Sequence, residues 1–251
     1  MAQGPTYRVK FRRRREGKTN YYRRRRLLQS RRPRLVVRKT NTSTIVQIIN
    51  ASVVGDSTVA SATSTELTKH GWIAGTGNLP AAYLTGLLAG LRAKSRGVNG
   101  AVLDVGLNPP VKGSRIYAAL RGAVDAGLEV PHDPNILPDE SRISGEHIVA
   151  SFDHFGTDSH MFSDLGKKKT NISTIPKKFN TVKKAIEDIP AAELKKKKTR
   201  KAPAKAAAKP KAKKPKKEKP SVSPPRAVPR KPKPKKLIAR GKGRKGKRRA
   251  K

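Results

Sequence analysis

The sequence predicts an α/β fold, α+β-like in the order of its elements. A mixed, mostly antiparallel sheet carries packed helices, between a basic N-terminal arm and a disordered basic C-terminal tail. Three observations lead there. Runs of β-branched residues of strand length, separated by turn-forming stretches, lie between residues 34 and 62. Two apolar patterns of helical period follow, with a short continuous apolar run between them. The net charge of +42 is confined to the ends: +15 over residues 1–39, +27 over 195–251, and 15 charges of each sign over 40–194. A neutral middle folds without self-repulsion, while extensions of one sign are suited to neutralise a polyanion.

These shifts divide the chain into four parts. Residues 1–39 form a basic arm leading into the first strand, and 40–155 a globular α/β domain. Residues 156–194 form a connecting extension expected to be ordered in part on a partner. Residues 195–251 form a Lys/Ala/Pro-rich tail whose ordering would cost about 1–2 kcal/mol per residue with no apolar burial to offset it. Its prolines also block a long helix.

The elements follow in order. Asn20 to Ser30 reads as a short helix stopped before Pro33. Arg34–Arg38 and Thr44–Asn50 read as strands around the turn at Thr40–Ser43, and Thr58–Ala62 as a weaker third strand, together an antiparallel meander. Asn78 is placed to cap a helix entered through Pro80, with Leu84, Leu87, Leu88 and Leu91 at i, i+3, i+4 and i+7. Ala82, Gly86 and Gly90 leave a small-residue face open to another backbone, and Gly97 ends the helix. Ala101–Val105 reads as a strand buried on both faces. Ser114 is placed to cap a second helix with Ile116, Leu120, Ala123 and Val124 inward, ending at Gly127. A short helix is expected near Ser144–Ser151, and one or two amphipathic turns within Thr181–Ile189.

Composition excludes several classes. With no cysteine there is no disulfide, thiolate metal site or cysteine nucleophile, which suits a reducing cytosol. Residues 8–15 are basic where a secretory signal needs an apolar core. The longest apolar stretch, Leu79 to Leu91, falls short of the roughly 20 residues of a membrane span, so the chain is expected to be soluble.

Catalytic chemistry finds little support. Asp104 ends a strand, a position where α/β enzymes keep carboxylates, but no second acid, metal motif or nucleophile accompanies it. Pairing with a nearby cation or capping a loop is the favoured reading. His147, Asp153, His154, Asp158 and His160 match no ligand spacing, so no metal and no cofactor are expected. Gly75-Thr-Gly-Asn78 precedes a helix and could cradle a phosphate, although a plain turn is favoured.

The arm is the sharper signal. Four of the eleven aromatics, Tyr7, Phe11, Tyr21 and Tyr22, lie among its basic runs. Arg forks match phosphate oxygens, and aromatic rings stack on unpaired bases. Interleaving the two suits folded RNA with splayed nucleotides better than plain duplex. The candidate RNA contacts are Tyr7, Arg8, Lys10, Phe11, Arg12, Arg13, Arg14, Arg15, Lys18, Tyr21, Tyr22, Arg23, Arg24, Arg25, Arg26, Arg31, Arg32, Arg34 and Arg38. The tail lacks aromatics and supports only sequence-independent phosphate binding. A tail-driven, chromatin-type DNA-binding protein is the alternative.

Ordered blocks of residues point further. Gly17-Lys-Thr-Asn-Tyr-Tyr-Arg-Arg-Arg-Arg-Leu-Leu28, Pro33-Arg-Leu-Val-Val-Arg38, Gly71-Trp72 and Asn78-Leu-Pro-Ala-Ala-Tyr-Leu-Thr-Gly-Leu-Leu-Ala-Gly-Leu91 come first. Ala101-Val-Leu-Asp-Val-Gly-Leu107, Gly113-Ser-Arg-Ile-Tyr117, Ala123-Val-Asp-Ala-Gly-Leu-Glu-Val-Pro-His132, Ile136-Leu-Pro-Asp-Glu140 and Gly145-Glu-His147 continue the series. Across residues 4–155 the chain resembles the archaeal large-subunit ribosomal protein L eighteen family, called L five in eukaryotes. The resemblance implies a non-catalytic, cytoplasmic ribosomal protein that binds 5S rRNA and links it to the large-subunit rRNA in the central protuberance. It also implies neighbouring large-subunit proteins as partners, including L five of the bacterial nomenclature, and places much of the RNA contact at Arg12–Arg15 and Tyr21–Arg26. The long tail departs from the compact archaeal pattern, and the resemblance assigns it no role.

Overall fold

The β-branched runs pair as their spacing predicts. In a computed structural model, which describes residues 4–156, 162 and 171–195, Arg34–Lys39 (β1), Thr44–Ala51 (β2) and Asp56–Thr63 (β3) form an antiparallel meander. Val102–Asp104 (β4) adds parallel to β1, giving the order β3-β2-β1-β4. The sheet is therefore mixed and mostly antiparallel. One expectation fails here: β4 is an edge strand, and Val102 and Leu103 are only half-buried. A short apolar run reads alike in the centre of a sheet and beside a single neighbour, and periodicity alone does not tell them apart.

Two central helices pack together over the face of the sheet that carries Leu35, Val37, Val46 and Ile48. In Leu79–Lys94 (α3) the Asn78 side chain accepts from the Ala81 amide at 2.9 Å, and Pro80 occupies the first turn. Nearly the whole circumference of α3 is buried. In Arg115–Asp125 (α4) Ile116, Leu120 and Ala123 turn inward, and Val124 is half-buried. The small-residue face of α3 meets α4: a Cβ on Gly86 would strike the Ala119 backbone, and one on Gly90 would strike Ala126 and Ala123. Ser114 sits at the cap position of α4 but makes no capping bond, and its hydroxyl is buried without a partner.

The expected short helix near Ser144–Ser151 is two helices, Glu140–Ser144 (α5) and Glu146–Phe155 (α6), broken at Gly145 with φ +93°. Further along, Ile175–Glu187 (α7) is longer than the one or two turns expected. Its Ile175, Phe179, Val182 and Ile186 are buried, and the Phe179 ring lies 5.6 Å from that of Tyr83 on α3. The segment thus docks on the chain's own core. Lysines at 177, 178, 183 and 184 crowd the remaining positions and dilute an apolar stripe of one residue per turn. Ala191–Lys195 (α8) adds Leu194 to the same core. The tail from residue 196 onward lies outside the described residues. Among those described, no helix is long and apolar enough to cross a membrane.

Candidate nucleic-acid interface

The arm folds as two short helices, Arg12–Arg15 (α1, which sequence patterning did not suggest) and Tyr21–Gln29 (α2). Gly17 turns the chain between them at φ +64°. Asn20 caps α2, its side chain accepting from the amides of Tyr22 and Arg23 at 3.1 and 3.2 Å. Arg31 adopts the left-handed conformation at φ 53° beyond the end of α2, before Pro33. Aromatic contacts join the two helices. Phe11 and Tyr21 lie 5.3 Å apart, and the Arg14 guanidinium sits 5.4 Å from the centre of the Tyr22 ring.

The two sides of α2 differ. Tyr21, Arg24, Leu27 and Leu28 are half-buried, whereas Tyr22, Arg23, Arg25 and Arg26 are exposed. Beneath α2, a cleft of about 490 Å³ separates it from Val36, Gln47 and Ile49 of the sheet. Charges of alternating sign run along it. Arg24 donates to both oxygens of Asp56, at 2.7 and 2.9 Å. Arg34 donates to Asp56 Oδ2 and to Asp104 Oδ2, both at 2.8 Å. Arg38 donates to Asp104 Oδ1 at 3.0 Å, an oxygen that also accepts from the Gly106 amide at 2.9 Å. The hydrogen bond from Arg24 is the main reason the Asp56 carboxyl is held below its ordinary range, and the same bond raises the Arg24 guanidinium.

This arrangement sorts the candidate contacts. Tyr7, Arg8, Lys10, Phe11, Arg12, Arg13, Arg14, Arg15, Lys18, Tyr22, Arg23, Arg25, Arg26, Arg31 and Arg32 are exposed. Arg34, by contrast, is buried: only 3% of it is accessible, and two carboxylates hold its guanidinium. Arg24 and Arg38 are half-buried with their guanidinium groups bonded to Asp56 and Asp104, and Tyr21 packs on Phe11. Sequence reasoning missed Asp56. It lies 32 residues from Arg24 and 22 from Arg34, so no local spacing links them.

The other candidates resolve structurally. Asp104 pairs with cations, as favoured, and is buried. Contacts within the protein hold the loop at Gly75-Thr-Gly-Asn78. Thr76 donates to the Thr42 carbonyl at 2.6 Å, and Arg115 to the carbonyls of Thr40 and Gly77 at 3.1 and 2.6 Å. His147, Asp153 and His154 form no metal-binding group among the described residues, and Asp158 and His160 fall outside them.

A basic, aromatic surface displayed by a neutral α/β body now has a counterpart among known proteins. Residues 5–98 and 92–133 match the family described as ribosomal large subunit proteins 60S L5 and 50S L18. The chain belongs to that family. It is 53% identical to large ribosomal subunit protein uL18 of Korarchaeum cryptofilum over 189 residues, 74% of this chain and 97% of the relative. To uL18 of Methanothermobacter thermautotrophicus it is 48% identical over 190 residues, 75% and 99% of the two chains. To uL18 of Caldivirga maquilingensis it is 58% identical over 150 residues, 59% and 72%. As a family member the protein is a structural constituent of the large subunit of the cytoplasmic ribosome, with rRNA as its partner, and not an enzyme. About three quarters of this chain spans the first two relatives almost end to end.

Proposed function

We propose that the protein binds 5S rRNA and helps anchor it to the large-subunit rRNA in the central protuberance, beside neighbouring proteins that include L five of the bacterial nomenclature. The observation that carries this is the outward face of the arm. Arg12–Arg15 and Tyr22, Arg23, Arg25 and Arg26 stand exposed on two helices, fixed to a body whose own charges balance. Guanidinium groups at this density neutralise phosphates, and an exposed tyrosine flanked by arginines offers a stacking platform for an unpaired base. The α/β body supplies shape and the arm supplies contact.

The test is a competition titration at about 150 mM salt with full-length protein, offering 5S rRNA against tRNA and duplex DNA of matched length. A preference for 5S rRNA of at least about tenfold, or about 1.4 kcal/mol, is expected. Removing residues 1–33 should abolish that preference, and removing 195–251 should only flatten the salt dependence. Equal binding to all three nucleic acids, lost with the tail, would instead establish the chromatin-type alternative.

A further inference from the structure

Helix α2 has little to hold it by apolar contact. It has nine residues, too few to persist alone in water, and none of them is fully buried. Its firmest tie to the body is polar: Arg24 forks onto both oxygens of Asp56 at the start of β3, at 2.7 and 2.9 Å. Parallel bonds of this kind fix direction as well as distance. The Asp56 and Arg24 side chains are only 28% and 30% exposed, so much of the competing water is displaced. Asp56 is itself held by the buried Arg34, which Asp104 grips from the other side. The arm is thus tied to the sheet through Arg24, Asp56, Arg34 and Asp104 in turn.

We propose that Asp56 is a positioning residue for RNA binding: by clasping Arg24 it holds α2 on the sheet in the free protein, presenting Tyr22, Arg23, Arg25 and Arg26 as a preformed surface. This rests on the reading of the arm as the rRNA contact. A preformed surface spares the ordering entropy that a loose arm would lose on binding. The clasp also divides the labour among the arginines, because the one spent on Asp56 aims its neighbours outward. It makes a prediction opposite in sign to that of bulk charge. Neutralising an acid raises the net positive charge, which by itself tightens binding to a polyanion, whereas loss of the clasp weakens it.

The experiment compares full-length unaltered protein with Asp56→Asn, Asp56→Glu and Arg24→Gln. Two readouts are taken: 5S rRNA affinity with tRNA as control, and amide hydrogen exchange over residues 21–29 and over α3. In Asp56→Asn we expect at least about threefold weaker 5S rRNA binding, faster exchange at 21–29 and unchanged protection of α3. Asp56→Glu, which keeps the carboxylate, should recover most of both. Equal or tighter binding by Asp56→Asn, or unchanged exchange at 21–29, overturns the proposal. Should Asp56→Asn also loosen α3, Arg24→Gln decides, since it leaves Arg34 with both its carboxylates; unchanged exchange at 21–29 there again overturns the clasp. If the unaltered protein shows no preference for 5S rRNA over tRNA, the functional reading fails, while the exchange data still decide whether the clasp holds α2.

Discussion

Gly86 on α3 and Gly122 on α4 lie on opposite sides of one helix crossing, each pressed against the other helix's backbone. A Cβ on Gly86 would collide with the Ala119 carbonyl, and one on Gly122 with the Tyr83 carbonyl. Neither neighbour is a flexible side chain that can swing away. Gly86→Ala should therefore destabilise the fold by about 1–3 kcal/mol or more, the cost of overpacking. Gly75→Ala, where a Cβ meets nothing within 4 Å, should change stability by less than about 0.5 kcal/mol. Urea unfolding of both variants checks the contrast, and equal midpoints would refute it.

Asp104 and Arg34 form a pair with almost no water access, at 6% and 3% exposure. Removing Asp104 leaves the buried Arg34 with one carboxylate in place of two. Asp104→Ala should cost about 3–5 kcal/mol. Asp56 still reaches Arg34, so the loss belongs at the lower end of that range. Denaturant titration monitored by far-UV circular dichroism measures it.

His147 on α6 titrates against folding. Burial is the main reason its pKa is lowered from the ordinary 6.5, the positive Arg142 lowers it further, and a hydrogen bond to the Ser141 backbone opposes both. Below 6.5 the unfolded chain therefore takes up a proton that the folded chain resists. This contribution to stability is complete above 6.5 and is lost as pH falls toward the lower folded value. Between about pH 7.5 and about pH 5 the unaltered protein should lose more stability than His147→Gln. Parallel curves for the two would show that His147 is not responsible.

Within α2, Tyr22 and Tyr21 should behave differently toward RNA. Tyr22 is 71% exposed, with Arg14 against its ring, so Tyr22→Ala should weaken 5S rRNA binding by about 1–3 kcal/mol with little change in stability. Tyr21→Ala removes the partner of Phe11 and should instead loosen the packing of α1 on α2. Binding isotherms set beside hydrogen exchange of residues 11–29 separate the two effects.

Arg25 and Arg26 face outward, and neither forms an ion pair among the described residues. Replacing both with alanine should lower the log–log salt slope of RNA binding by about 0.7–0.9 for each phosphate that is no longer neutralised. Lys184→Ala, on the outer side of α7, should leave the slope unchanged. A slope that stays the same in the arm variant would place the RNA elsewhere.

Much of this was legible locally. The Asn78 cap, the three strands of the meander and the glycine face of α3 all declare themselves within one element, because capping, strand pleat and helical period act over a few residues. What lay beyond reach depends on contacts distant in sequence. The sequence suggests only one or two turns within Thr181–Ile189, whereas the helix runs over Ile175–Glu187 with Ile175, Phe179, Val182 and Ile186 buried and α3 packed against it. The run Ala101–Val105 looked central until the sheet ended there.

The arginines mark the division most sharply. By itself the sequence determined that positive charge and aromatic rings gather in the arm around a neutral, foldable body. Only the tertiary structure decided which of those charges are free. Arg24, Arg34 and Arg38 read the same as Arg23, Arg25 and Arg26 along the chain, yet the first three face carboxylates at 2.7–3.0 Å. Ion pairing falls off with distance through space, not along the chain, so folding had to bring Asp56 and Asp104 beneath the arm before the exposed arginines could be told from the paired ones.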